Sequence, residues 1–115
     1  MLVEDDPSMR NLLKILLELE GFQIVLCADT RKNAVMETLF KELPDAILMD
    51  VNLSGANGLD ILGVIRQQPE VSATRILMCS GLDLHYECMN AGADGFLLKP
   101  YMPDDLISWL RSQPA

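Results

Sequence analysis

The side chains in this sequence that could do chemistry together are Glu4, Asp5, Asp50, Ser80 and Lys99. Each stands at or just past the end of a short apolar run: Met1-Leu2-Val3 stops at Glu4-Asp5-Asp6, and Ala46-Ile47-Leu48-Met49 ends in Asp50. Arg75 to Cys79 leads into Ser80-Gly81, and Gly95 to Leu98 into Lys99-Pro100. Carboxylates held close together repel, and a hard divalent cation that takes oxygen ligands relieves the repulsion, so an acidic cluster of this kind predicts Mg²⁺. With the cluster neutralised, the Asp50 carboxylate can act as a nucleophile on an incoming phosphoryl group. Transfer then needs positive charge and donors at the phosphoryl oxygens, which the metal, Lys99 and the Ser80 hydroxyl would supply.

These residues can act together only if the chain delivers them to one place. The runs that carry them read as strands buried on both faces, because they are apolar throughout and closed by turn residues. Phe22 to Cys27 reads as another strand. Between the strands lie helical segments. Asp6 is predicted to cap a helix opened by Pro7 and stopped by Gly21, with Met9, Leu12, Leu13, Leu16 and Leu19 at helical spacing. Thr30 is predicted to cap a helix to about Glu42, with Val35, Met36, Leu39 and Phe40 facing the core. A third helix carries Leu59, Ile61, Leu62 and Ile65 before Pro69. A short one spans about Tyr86 to Ala91, and Pro103-Asp104-Asp105 opens a last one with Leu106, Ile107 and Leu110. Five repeats of strand then helix, joined by short connections, imply an α/β fold with a parallel sheet covered by helices on both faces. Such sheets gather their chemistry at the carboxyl ends of the strands, where all five residues fall.

Composition agrees. At 115 residues, half of them apolar, the chain reads as one domain spanning 1–115. A net charge of −8 with only nine Lys and Arg argues against a basic phosphate-binding surface, so neither nucleic acid nor an anionic membrane is an expected partner. Cys27, Cys79 and Cys88 form no metal-binding pattern and read as buried thiols in a reducing compartment. With no signal-peptide pattern and no apolar run of spanning length, the expected location is the cytoplasm.

Four pieces in order carry a family resemblance: Val3-Glu4-Asp5-Asp6 after the first strand, Leu48-Met49-Asp50 at the end of the third, Ser80-Gly81 after the fourth and Lys99-Pro100 after the fifth. Over nearly all of its length the chain resembles the receiver domain of two-component response regulators. The resemblance implies a doubly wound, flavodoxin-like and CheY-like (βα)5 fold with strand order 2-1-3-4-5. It implies that Asp50 accepts a phosphoryl group from a sensor histidine kinase or phosphotransfer protein. Mg²⁺ would be held by Glu4, Asp5, Asp50 and the Asn52 carbonyl, and Lys99, before a cis proline bond, would pair with the phosphoryl group. Ser80 and Phe96 would be the switch pair, the hydroxyl moving to the phosphoryl group and the ring into the vacated space. The output is a changed affinity for a downstream protein or effector domain. Such a protein catalyses only its own phosphorylation and slow dephosphorylation.

Departures from the family pattern matter. The segment from Ser80 to Lys99 is shorter than usual by nearly a helical turn, and Ser54 stands where the family commonly has Pro. Leu82 places an apolar side chain near the path of a hydrolytic water, which predicts slow dephosphorylation. The short first strand is read as a trimmed start, and the stop at Gln113-Pro114-Ala115 as either a stand-alone regulator or a piece of a longer one. Two other readings compete. A dehalogenase-type hydrolase also uses an Asp nucleophile and Mg²⁺, but it wants a second Asp where Asn52 stands. A receiver-like interaction module without phosphorylation is supported only by the shortened segment. His85 reads as a surface residue, and Trp109 as packed inward.

Overall fold

Apolar runs with no polar face must be covered on both sides, and the chain does this by alternating strands and helices. The computed structural model describes residues 1–112, so Gln113-Pro114-Ala115 lie outside the described residues. The strands are β1 (Leu2–Val3), β2 (Leu26–Cys27), β3 (Ala46–Asp50), β4 (Arg75–Ser80) and β5 (Gly95–Leu98). The helices are α1 (Pro7–Leu19), α2 (Lys32–Glu42), α3 (Gly58–Arg66), α4 (His85–Asn90) and α5 (Pro103–Arg111). All strand pairs are parallel, in the order β2-β1-β3-β4-β5. Alternate residues of the central strands feed two apolar clusters. Ile47, Met49, Ile76 and Met78 meet α2 and α3 through Val35, Leu39, Ile61, Leu62 and Ile65, while Leu48 and Leu77 meet α1 and α5 through Leu13, Leu17 and Leu106.

Register aligns the rim. Val3 pairs with Met49, Asp50 with Cys79, and Ser80 with Leu98, so Glu4, Asp50, Ser80 and Lys99 leave neighbouring strands at nearly one level. The helix signals also hold: the Asp6 carboxylate accepts from Ser8 N at 3.1 Å, and Gly21 adopts φ 94° just past α1. Among the described residues, no helix is long and apolar enough to cross a membrane.

Four local expectations need correction. The strand predicted over Phe22 to Cys27 is a ladder only at Leu26–Cys27. As the edge strand, β2 can pair only with β1, whose first residue, Leu2, already stands opposite Leu26, so residues 22–24 have no strand beside them. On α1 the buried stripe is Leu13 and Leu17, whereas Leu12 (50%), Ile15 (56%) and Leu19 (78%) are exposed. The apolar arc of this helix, from Ile15 through Leu16 round to Leu17, is wider than the strip the sheet covers, so spacing alone could not select which part of it is buried. Thr30 does not cap α2. Arg31 is the N-cap, without a side-chain capping bond, and the buried Thr30 Oγ1 accepts from Gly55 N at 3.1 Å. Phe40 lies off the Val35–Leu39 stripe and is exposed.

Candidate functional site

Asp50 ends a strand whose neighbours fix its backbone, and its side chain is fixed in turn. Its Oδ1 accepts from Asn52 N at 2.9 Å, and its Oδ2 accepts from Lys99 Nζ. The same ammonium lies 4.0 Å from Glu4 Oε2, while Glu4 Oε1 accepts from Asp6 N at 3.1 Å. Asp50 and Glu4 are both buried. Two buried carboxylates therefore share one half-buried cation. Burial opposes the charge on Lys99, but its bond to Asp50 and the neighbouring negative groups outweigh it and hold its pKa above the ordinary value. Beside them, burial foremost and then the Asp50 charge push the Cys79 thiol up to about 12, so it stays protonated. Burial, with the same acidic groups, also raises the Tyr101 phenol.

Ser80 is fully buried at the end of β4. Its carbonyl accepts from Lys99 N at 2.8 Å, which ties the two rim residues together, and its Oγ accepts from Leu82 N at 3.0 Å. Phe96 is half-buried, its ring edge-on to His85 with centroids 5.9 Å apart. The Lys99-Pro100 bond is cis.

Asp5 is the exception on this rim. Its Oδ2 accepts from Ser54 N in the β3–α3 loop. Burial disfavours its charge, but the Ser54 N–H, followed by the Ser54 and Thr30 hydroxyls, more than compensates and lowers its pKa. Among the described residues, no three His, Cys, Asp or Glu side chains converge in a way that could hold a metal ion. The structure thus brings Asp50, Lys99, Glu4 and the Asn52 backbone together, with Ser80 on the adjoining strand, and turns Asp5 to a different partner. The donor set itself, carboxylates and a backbone carbonyl, suits a hard cation that prefers oxygen.

Two residues that position the site are not apparent from their spacing. Gly58 opens α3 so close to β3 that a Cβ there would lie 2.2 Å from the Asp50 carbonyl oxygen. Thr30 anchors the β3–α3 loop through Gly55, which itself packs so tightly that a Cβ would lie 2.8 Å from Arg31 N. Gly58 follows Asn57 in a run that reads as ordinary loop, and a buried Thr before a helix reads as a cap. Chemically, the arrangement presents a carboxylate oxygen with a movable ammonium beside it, at the mouth of a sheet.

The family model described as response regulator receiver domain matches residues 1–111. Among curated relatives, the chain is 31% identical over 114 residues to the DNA-binding response regulator MtrA of Mycolicibacterium smegmatis, covering 98% of this chain and 49% of that protein. It is 35% identical over 115 residues to the nitrate/nitrite response regulator protein homolog of Haemophilus influenzae, covering 96% and 54%. The chain spans about half the length of these curated relatives. Among solved structures, the BeF3-activated N-terminal receiver domain of Klebsiella pneumoniae RstA superposes with a TM-score of 0.84 at 28% identity, covering 96% of this chain and 92% of that one. The chemotaxis protein CheY4 of Vibrio cholerae gives 0.84 at 27% identity, with the same coverage.

Proposed function

The chain belongs to the response regulator receiver domain family, and from that premise we propose that Asp50 is its phosphoryl acceptor and that the acylphosphate switches partner binding. The observation that carries this reading is the buried Asp50 carboxylate at the end of β3, anchored through Oδ1 to Asn52 N and paired through Oδ2 with Lys99. In the reaction, an Asp50 oxygen attacks the phosphorus of a phosphohistidine. A P–O bond forms as the P–N bond breaks, and the imidazole leaves with that electron pair, its other nitrogen keeping the ring proton so that it departs neutral. Lys99 moves from the carboxylate to the phosphoryl oxygens, a short step for a flexible ammonium. Asp5, Asp50 and the Asn52 carbonyl, with Glu4 adjoining, would hold Mg²⁺, which when bound neutralises phosphoryl charge.

The switch is read from Ser80 and Phe96. A phosphoryl group draws the Ser80 hydroxyl out of its bond with Leu82 N, and Phe96 gives up its edge contact with His85 to follow. The phosphodonor is a sensor histidine kinase or phosphotransfer protein, and the exposed Leu12, Ile15 and Leu19 of α1 offer an apolar face for such a protein contact. This chain, with a net charge of −8, is not itself the nucleic-acid reader. DNA binding is named for the MtrA relatives, and here any such output belongs to an effector domain or separate protein. The chain acts in the cytoplasm as one receiver domain, alone or as the receiver part of a longer regulator.

Beryllofluoride, a stand-in for the phosphoryl group, tests the site. A bound ¹⁹F resonance is expected with Mg²⁺ in the parent and none in Asp50→Asn; no bound signal in the folded parent would sink the reading.

A further inference from the structure

Lys99 pairs with Glu4 and Asp50, whereas Asp5 is engaged by Ser54 of the β3–α3 loop, and that engagement is built from several parts. Ser54 N donates to Asp5 Oδ2. Thr30 is buried, at 3% exposure, and accepts from Gly55 N at 3.1 Å, which fixes the peptide next to the donating one. Gly55 has no room for a side chain against Arg31 N and Thr30. The loops after β1, β2 and β3 are therefore linked through two adjacent peptides, Ser54 N on Asp5 and Gly55 N on Thr30. Glu4 and Asp50, by contrast, share Lys99.

We propose that the Ser54 N–H, braced by Thr30 and Gly55, latches Asp5 away from the cation site, so that a divalent cation must break this bond to gain Asp5 as a ligand. The inference rests on the phosphoryl-acceptor reading, since it assumes that Asp5 serves a cation at all. A hydrogen bond to a charged carboxylate is stronger than one between neutral groups, and its loss on metal binding is charged against the affinity. Ser54 and Thr30 are then positioning residues. The peptide N–H at position 54 acts on the metal through Asp5 and touches neither metal nor phosphate.

The latch is a backbone donor, so the discriminating substitution is Ser54→Pro, which removes the N–H, with Ser54→Ala, which keeps it, as control. Free Mn²⁺, followed by electron paramagnetic resonance in titrations of the 115-residue chain, reads the affinity without any phosphorylation step. Ser54→Pro is expected to bind Mn²⁺ about tenfold tighter than the parent, while Ser54→Ala stays within about twofold of it. Equal affinity of parent and Ser54→Pro, or weaker binding by Ser54→Pro, overturns the latch while leaving the acceptor reading intact; no Mn²⁺ binding by any folded variant overturns both. A second measurement does not depend on Ser54→Pro folding. In the parent, the Ser54 amide proton resonance should lie downfield, as charge-assisted bonds place it, and move upfield on saturation with Mg²⁺. A Ser54 amide that stays downfield in the Mg²⁺ form means that the bond survives metal binding, and the proposal is wrong.

Discussion

Arg66, the last residue of α3, joins the segment before β4 to the turn before β5, and its removal has a calculable cost. Its Nε donates to Gly92 O at 2.7 Å, Nη1 to Ser72 O at 2.7 Å and Thr74 O at 2.8 Å, and Nη2 to Asp94 Oδ2 at 2.7 Å. Asp94 in turn accepts from Ile76 N at 2.7 Å, so the guanidinium sets where β5 begins beside β4. In Arg66→Ala, water can take over at Ser72 O and Asp94, which are exposed, with little loss. The Gly92 and Thr74 carbonyls are partly buried, and each loses a bond to a charged donor worth roughly 1.5–3 kcal/mol in full burial. Discounted by about half for partial exposure, the loss for the two together is about 1.5–3 kcal/mol. Arg66→Lys keeps at most the half-exposed pair with Asp94, worth about 0–1 kcal/mol, and should recover little. Urea unfolding measures this as a lower midpoint at unchanged slope. A loss below about 0.5 kcal/mol for Arg66→Ala, the range of an ordinary surface change, or full recovery in Arg66→Lys, would refute the bookkeeping.

Three further outcomes follow from the same geometry. Gly58→Ala should destabilise by about 1–3 kcal/mol and slow phosphoryl acceptance, because the added methyl presses on the Asp50 carbonyl. Gly63→Ala, in open space on the same helix, should gain about 0.5–1 kcal/mol; equal effects at the two positions in urea melts would contradict the contact argument. Asp29 is held down to about 2, first by the Arg31 side-chain bond and then by the Arg31 N–H. A depressed carboxylate stabilises above its unfolded value and loses that contribution as pH falls, so the stability gap between parent and Asp29→Asn should open between about pH 2 and the ordinary 3.8. A gap independent of pH in acid melts would count against it. Leu82 should keep the phosphorylated form long-lived, and Leu82→Asn should shorten it; a parent that loses its phosphoryl group in seconds under Mg²⁺ would remove Leu82 from the account.

Much of the architecture was legible because the deciding interactions are local. An apolar run that ends in Asp50, Asp6 before Pro7, and Gly21 after Leu19 each specify their own element, and the family resemblance supplied the strand order. What was not legible depends on neighbours. The shortness of β2 depends on where β1 begins, not on residues 22–27. Which stripe of α1 is buried depends on the sheet, since Leu or Ile occupies positions 12, 13, 15, 16, 17 and 19. At the site, the rim residues and their strands could be named, because an acid at the end of an apolar run is a local pattern. The diversion of Asp5 to Ser54 could not, since a backbone N–H far along the chain leaves no mark on residue type. Gly58 and Arg66 are similar cases, their roles arising only when α3 is laid against β3 and the α4–β5 turn.

The most direct test of the account is the intact mass of the chain after incubation with Mg²⁺ and acetyl phosphate, set beside Asp50→Asn. The account predicts one added phosphoryl group that requires Mg²⁺, is lost in mild base as an acylphosphate should be, and is absent from the variant. An unmodified mass in a folded parent, or the same adduct on Asp50→Asn, would contradict it.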